Sequence, residues 1–469
     1  MSDVLKRVRP SNEERERLKS VTQYILSEVE DLAGAGGRNV RPVLVGSAAR
    51  GTWLSGDCDL DIFLAAPEDE DLKGALDLAR DLAGKMAQKH EERYAEHAYV
   101  HAVINGFDVD LVPCYDLKSF EKIRSAVDRT PFHNRYVSAR IGGLEDDVLL
   151  LKQFMKGTGV YGSELKNGGF SGYLTELLVI SYGSFLEVLR NASSWRPGIV
   201  IDLEERLRSV PASASVIGSG PGSESGSGAV SWPGQVHEPL IVIDPVDPKR
   251  NVAAALTLDK AFQFSSSARC FLRHPSIDFF FPPDRAPISD EDLVSIVRSR
   301  GSTFILIRFS VPDLVEDIIF PQLRKGEESI KALFQRNGFC LLRSDVECFK
   351  AHALMLFELE VGTLPTVIRR TGPPVWEIEH VSKFLAAHPG PLSGPYIEGG
   401  RAMIEEARRY TRARDILASE IGTLSLGKHL NSEIRKGFEI YEGAELASIK
   451  DGEFRVFMAE YLAARKKVC

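Results

Sequence analysis

Between Asn12 and about Leu32 the apolar positions Leu18, Val21, Ile25, Val29 and Leu32 recur at three- and four-residue steps. That spacing predicts an amphipathic helix. The rhythm then shortens. RPVLVG and DLDIFLAA read as strands on either side of a turn, residues 71–92 as a helix, and YVHAVI and FDVDLVP as two further strands. From Gly143 the helical period returns. LEDDVLLLKQFMKGTG predicts one helix and GYLTELLVISYGSFLEVLR a second, separated by the hinge-like KNGGFSG. Past Pro282 come a helix over 289–299, strand TFILIRFS, an amphipathic helix over 325–336, and strands FCLLRSD and HALMLFELE. That order suggests a small antiparallel sheet backed by helices. After PPVWEIEHVSKFLAAHP, the segment GPYIEGGRAMIEEARRY reads as a Gly-Gly hairpin. The fold class is therefore α+β and multidomain, divided at 1–142, 143–281, 282–375 and 376–469.

Composition narrows the picture only slightly. A chain of 469 residues is expected to hold about three domains. Its net charge of -8 means that any nucleic-acid contact must come from a local patch. No apolar run approaches the roughly 20 residues of a membrane span, and the polar, charged N-terminus has no signal-peptide core. The six cysteines are scattered, without CxxC or zinc-type spacing, which suggests reduced thiols and a cytoplasmic protein. Residues 211–235 are rich in Gly, Ser and Pro and read as a flexible surface insertion.

The candidate chemistry lies in VGSAARGTWLSGDCDLDIFL, residues 45–64. In a strand, residues i and i+2 share a face, so Asp59 and Asp61 converge while Leu60 and Ile62 pack behind them. Burying two like charges costs several kcal/mol unless something positive lies between them. Asp110, with Asp108 on its face, offers a third carboxylate from a following strand. Three hard oxygen donors suit Mg²⁺ rather than Zn²⁺, and two such ions about 3.5–4 Å apart serve an in-line phosphoryl displacement. Gly46 and Ser47 suit the other half of that chemistry. A glycine permits close backbone approach to a phosphate, and the hydroxyl and free N–H groups favour an anion. Arg50, three residues on, is placed to meet the same triphosphate.

Gly-Ser, a short spacer, D-x-D and a third carboxylate resemble the nucleotidyltransferase superfamily of DNA polymerase β type. GSAARGTWLSGDCDLDIF resembles more narrowly the archaeal class I CCA-adding enzymes. The likeness continues through FDVDLVPCY, TPFHNRYV, VLLLKQFMKGTGVYGSELKNGGFSGYLTELL, VIDPVDPKRNVAAALTLD and GPYIEGGRAMIEEARRY. It therefore spans most of the chain. The resemblance implies addition of C, C and A to the 3′ end of tRNA from CTP and ATP with Mg²⁺, and a homodimer. The four segments would be a catalytic domain, a helical nucleotide- and RNA-binding domain, an α/β body and a tRNA-binding tail. Lys152, Tyr161 and His133 would become nucleotide contacts, and Arg250 would help to read the base. On the residues alone, Lys152 is the edge of an apolar stripe, Tyr161 a packed aromatic and His133 a neighbour of a helix cap. Arg250 alone is a salt bridge to Asp244 or Asp247. Arg401, Arg408, Arg409, Arg412 and Arg414 form the best local basic cluster, or an ion-paired surface. Poly(A) polymerases and oligoadenylate synthetases share the carboxylates and are the nearest alternative, followed by a non-catalytic RNA-binding protein.

Overall fold

Alternation of buried and less buried residues in YVHAVI and FDVDLV decides how the first part of the chain is layered. In the computed structural model the described residues are 1–94, 96–164, 166–205, 238–312 and 314–463, so the 211–235 insertion lies outside them. The chain divides into two units, Met1–Pro283 and Asp284–Arg465.

In the first unit, α1 (Ser2–Val8) and α2 (Asn12–Ala35) precede β1 (Arg41–Val45), the short α3 (Gly46–Arg50), β2 (Leu60–Ala66) and α4 (Lys73–Met86). Next come β3 (Lys89–Tyr94), β4 (Ala98–Ile104) and β5 (Phe107–Tyr115). The sheet order is β1-β2-β5-β4-β3, with only β2 and β5 parallel. Leu60, Ile62 and Leu64 of β2, Val100 and Ala102 of β4, and Val109 and Leu111 of β5 point to one face. There they pack on Ile25 and Val29 of α2 and Leu78 and Leu82 of α4. The alternate residues Asp61, His101 and Asp110 therefore face away from that core.

A capping box starts α2: Ser11 Oγ accepts the Glu14 N–H at 3.1 Å, and Glu14 Oε2 accepts the Ser11 N–H at 2.7 Å. The same Glu14 carboxylate takes the Ser55 hydroxyl at 2.9 Å and the Gly56 N–H at 3.0 Å. The helix expected over 71–92 is shorter than its pattern suggested. Residues 89–94, KHEERY, have no apolar stripe to continue it, and they form an exposed edge strand whose charges discourage further pairing.

Among the described residues five α-helices build most of the remainder of this unit: α5 (Thr130–Ser138), α6 (Glu145–Gly157), α7 (Gly172–Tyr182), α8 (Phe185–Ala192) and α9 (Leu258–Arg273). The parallel pair β6 (Ile199–Asp202) and β7 (Leu240–Ile243) accompanies them. The single helix expected over 172–190 is two, bent by 94°. Gly183 ends α7 at φ +85°, a left-handed conformation that glycine adopts without strain. Phe154 of α6 is fully buried and meets the rings of Phe185, Phe264, Phe271, Phe279 and Phe280 at centroid separations of 5.5–6.1 Å.

The second unit opens with α10 (Asp290–Arg300), β8 (Thr303–Ser310), α11 (Glu316–Arg336), β9 (Leu341–Cys348) and β10 (His352–Leu359). After β11 (Val367–Pro374) and α12 (Ile378–Ala387) comes the expected hairpin, β12 (Ser393–Glu398) and β13 (Arg401–Ala407), turning at Gly399-Gly400. Helices α13 (Ala413–Glu420) and α14 (Lys428–Lys436), strand β14 (Glu439–Glu442) and α15 (Gly452–Leu462) complete it. One antiparallel sheet runs β14-β8-β10-β9 and the other β11-β13-β12. Helix α11 begins nine residues earlier than expected, because Ile319, Phe320 and Leu323 extend its buried face past Pro321. Among the described residues Cys58, Cys114, Cys340 and Cys348 are free. Among the described residues no single helix is long and apolar enough to cross a membrane.

Phe154→Ala should destabilise the protein by about 3–5 kcal/mol, because five rings cannot close over the cavity it leaves. Denaturant unfolding of the full chain measures this, and a loss below about 1 kcal/mol would show that the cluster repacks freely.

Candidate active site

Parallel pairing of β2 with β5 sets Asp61 directly opposite Asp110, and Asp59 lies just before β2. Neither carboxylate faces the apolar core, yet Asp61 is far from free in water. Burial, then the charges of Asp110 and Asp59, push its pKa up to about 7. Asp59 is also raised, by burial and by Asp57, Asp108 and Asp110. On the other side of Asp61 is β1, whose last residue, Val45, is its register partner. Gly46 follows at φ +76°, and a Cβ there would come within 2.1 Å of Asp61 Oδ2. Only glycine lets the turn approach the carboxylate so closely.

Among the described residues no three His, Cys, Asp or Glu side chains are gathered as a ready-made metal cage. The donor chemistry nonetheless fits a hard divalent cation. Asp59, Asp61 and Asp110 are oxygen donors whose mutual repulsion a cation would relieve.

Beside them is an open cavity of about 590 Å³. Ser47, Asp57 and Asp59 line one part of it, and Lys152, Lys156, Tyr161, Glu164 and Asn167 another. Lys152 is buried, and its Nζ donates to the Thr52 carbonyl at 2.8 Å. Burial lowers its pKa, with Glu176 pulling the other way. Tyr161 is raised by burial, then by Glu176. A Cβ on Gly172 would lie 3.2 Å from the Tyr161 hydroxyl and 3.8 Å from Lys152 Nζ, so this glycine leaves room for both.

The other expected nucleotide contacts do not line this cavity, although Arg50 is close enough to Asp61 and Lys152 to act on their charges. Arg50 is not a free cation waiting for a triphosphate. Its guanidinium is 8% exposed, donates to Glu176 Oε1 at 3.0 Å and to Asn134 Oδ1 at 2.6 Å, and lies 2.9 Å from Glu176 Oε2. The Thr52 hydroxyl donates to the same Glu176. Asp244 gathers His133 and Arg250. Its Oδ2 is 2.8 Å from His133 Nε2 and accepts from Arg250 at 2.9 Å. Tyr173 stacks on His133 at 4.2 Å and reaches Asp244 Oδ1 at 3.3 Å. The salt bridge left open for Arg250 is thus made, and to Asp244. Burial alone would raise Asp244, but hydrogen bonds from His133, the Val246 N–H and Arg250 outweigh it and hold its pKa down to about 2.

Sequence reasoning missed Glu176, Tyr173, Lys156 and Glu164. A signal was available for Glu176, a lone acid inside the apolar run GYLTELL. In the second unit the tail arginines are largely occupied. Arg409, Arg412 and Arg414 pair with Glu420, Glu442 and Glu445, while Arg408 and Arg401 donate to the carbonyls of Asn337 and Gly372.

Three families match in succession: a nucleotidyltransferase domain over 23–133, the second domain of tRNA nucleotidyltransferase over 146–281, and the C-terminal domain of CCA-adding enzyme over 300–443. A CCA-adding enzyme of Methanosarcina acetivorans is 43% identical over 98% of this chain and 97% of its own. Those of Methanothermobacter thermautotrophicus and Archaeoglobus fulgidus are 40% and 37% identical, over 98% and 95% of this chain and 97% and 95% of theirs. The chain belongs to the CCA-adding enzyme family. It is therefore an enzyme, a nucleotidyltransferase, of a kind that generally uses a divalent metal. Among solved structures, a poly(U) polymerase bound to MgATP is 12% identical with a TM-score of 0.43, over 59% of this chain and 94% of that one. That likeness is too remote to carry an argument about substrate.

The Asp244 cluster gives this family member a defined acid response. Its folded pKa is depressed, so the unfolded chain takes up the proton first as pH falls. The carboxylate's contribution is full above about pH 4 and is lost as pH drops through about 2. Unfolding free energies of wild type and Asp244→Asn should differ more at pH 7 than at pH 2, by about 2 kcal/mol. A pH-independent difference would show that the carboxylate is not held ionised.

Proposed function

We propose that this chain adds C, C and A to the 3′ end of tRNA, using CTP, ATP and Mg²⁺ in one active site. The observation that carries the reading is the side-by-side placement of Asp61 and Asp110 on the open face of the sheet, next to a cavity holding Ser47, Lys152 and Tyr161. In this reading the RNA 3′ hydroxyl attacks the nucleotide α-phosphate, the new phosphodiester forms and pyrophosphate leaves. Asp59, Asp61 and Asp110 would hold the Mg²⁺ ions, which when bound supply charge neutralisation and a more acidic attacking hydroxyl. Asp110 would orient that hydroxyl and take its proton. Ser47 and the Gly46 turn, Lys152 and Tyr161 hold the triphosphate and sugar. Arg50 acts from behind, bracing α3 against Glu176.

His133 and Arg250, tied together by Asp244, would form the wall that meets the base. Arg250 is 38% exposed, with a fork of donors beyond the one on Asp244. Segment 1–142 would carry the chemistry, 143–281 the nucleotide and RNA end, 282–375 the body and 376–469 the tRNA contacts. A cytoplasmic homodimer is the setting this reading implies.

The deciding assay is incorporation of labelled CTP and ATP into tRNA lacking its 3′ end. Wild type should use CTP twice, then ATP once, and stop, whereas a poly(A) polymerase would ignore CTP and continue. Asp61→Asn and Asp110→Asn should each lose at least about a hundredfold in kcat for both nucleotides, with tRNA binding nearly intact. Near-normal kcat in either variant would remove the metal-site reading.

A further inference from the structure

Asp110 takes a hydrogen bond from its own sheet that the mechanism above does not use. In the antiparallel pairing of β4 with β5, His101 lies directly opposite Asp110. Its Nδ1 is 2.7 Å from Asp110 Oδ1, and its Nε2 is 3.4 Å from Asp108 Oδ1. A carboxylate oxygen can only accept, so Nδ1 carries the hydrogen in the shorter contact. The placement follows from β4 itself. Val100, Ala102 and Ile104 fill the core face, which turns His101 to the catalytic face. There the ring is 18% exposed and wedged between two carboxylates that share one face of β5. A side chain so confined has few rotamers.

We infer that His101 is a positioning residue for nucleotidyl transfer. It fixes the Asp110 carboxylate by Oδ1 and leaves Oδ2 for the work at the reacting end of the RNA. Hydrogen bonds to a carboxylate ligand set its orientation, and losing one typically costs about 10–100-fold in metal affinity or activity. The inference rests on the role proposed for Asp110, and the test separates the two.

The full chain is compared as wild type, His101→Phe, His101→Asn, Asp108→Asn and Asp110→Asn. Phenylalanine keeps the ring volume without a donor, and asparagine keeps an N–H donor near the Nδ1 position. Four things are measured: kcat and KM for CTP addition to tRNA lacking its 3′ end, tRNA binding, melting temperature, and Mn²⁺ binding to the nucleotide-free protein by electron paramagnetic resonance. His101→Phe should lower kcat about 10–100-fold and weaken Mn²⁺ binding, with KM for CTP and tRNA affinity within about threefold. His101→Asn should recover much of the loss, and Asp108→Asn, at the longer and more exposed contact, should stay within about threefold of wild type. The inference is overturned if His101→Phe keeps near-normal kcat and Mn²⁺ affinity. It is equally overturned if both His101 variants lose tRNA binding and melting temperature alike, the pattern of a purely structural residue. An active Asp110→Asn would instead remove the role of Asp110, and with it anything for His101 to position.

Discussion

Repulsion between Asp61 and Asp110 is the constraint around which the catalytic half is arranged. Two strands that each place an acid next to core residues are paired in parallel and in register, so Asp61 and Asp110 must lie side by side. A one-residue slip would relieve the repulsion, but it would turn Leu60, Ile62 and Leu64 out of the core. The hydrophobic register therefore holds the charges together, and burial, followed by the charges of Asp110 and Asp59, pushes the Asp61 pKa up to about 7. Gly46 completes the arrangement by letting the neighbouring turn crowd against the same oxygen.

A second constraint joins the sheet to the helices. Arg50 at the end of α3 and Glu176 within α7 form a buried ion pair, with Thr52 and Asn134 taking up further polar valences. Breaking such a pair by removing one partner leaves a charge stranded in the interior and costs about 3–5 kcal/mol. The pair thus fixes where the Gly-Ser turn stands relative to Lys152, whose amine donates to the carbonyl of Thr52. An arginine that by motif alone points to a nucleotide is, in this chain, held by Glu176 and Asn134.

The sheet and the shared face of its acids were legible in the sequence because their pattern has period two and its exceptions are charged. Asp59, Asp61 and Asp110 stood out against Leu60, Ile62 and Leu111, and the Gly-Gly hairpin was announced by its turn. What could not be read was pairing at a distance. Nothing local in PFHNRY says that His133 will meet Asp244, 111 residues away, or that Tyr173 will stack on it. The ion pairs of the tail arginines were hidden for the same reason, since the partners Glu442 and Glu445 of Arg412 and Arg414 come from a later segment. The break at Gly183 was hidden because apolar residues run on past it, and periodicity cannot distinguish one buried helix from two.

Glu14 illustrates how far a single carboxylate can reach. It closes the capping box of α2 and at the same time grips Ser55 and Gly56, immediately before Asp57 and Asp59. The loop bearing those acids is thereby moored to a helix that never enters the cavity. Shortening that side chain by one methylene would leave the helix most of its contacts yet let the loop drift. The accuracy of the phosphate chemistry is, in this sense, set partly by the stiffness of a mooring at the far end of another element.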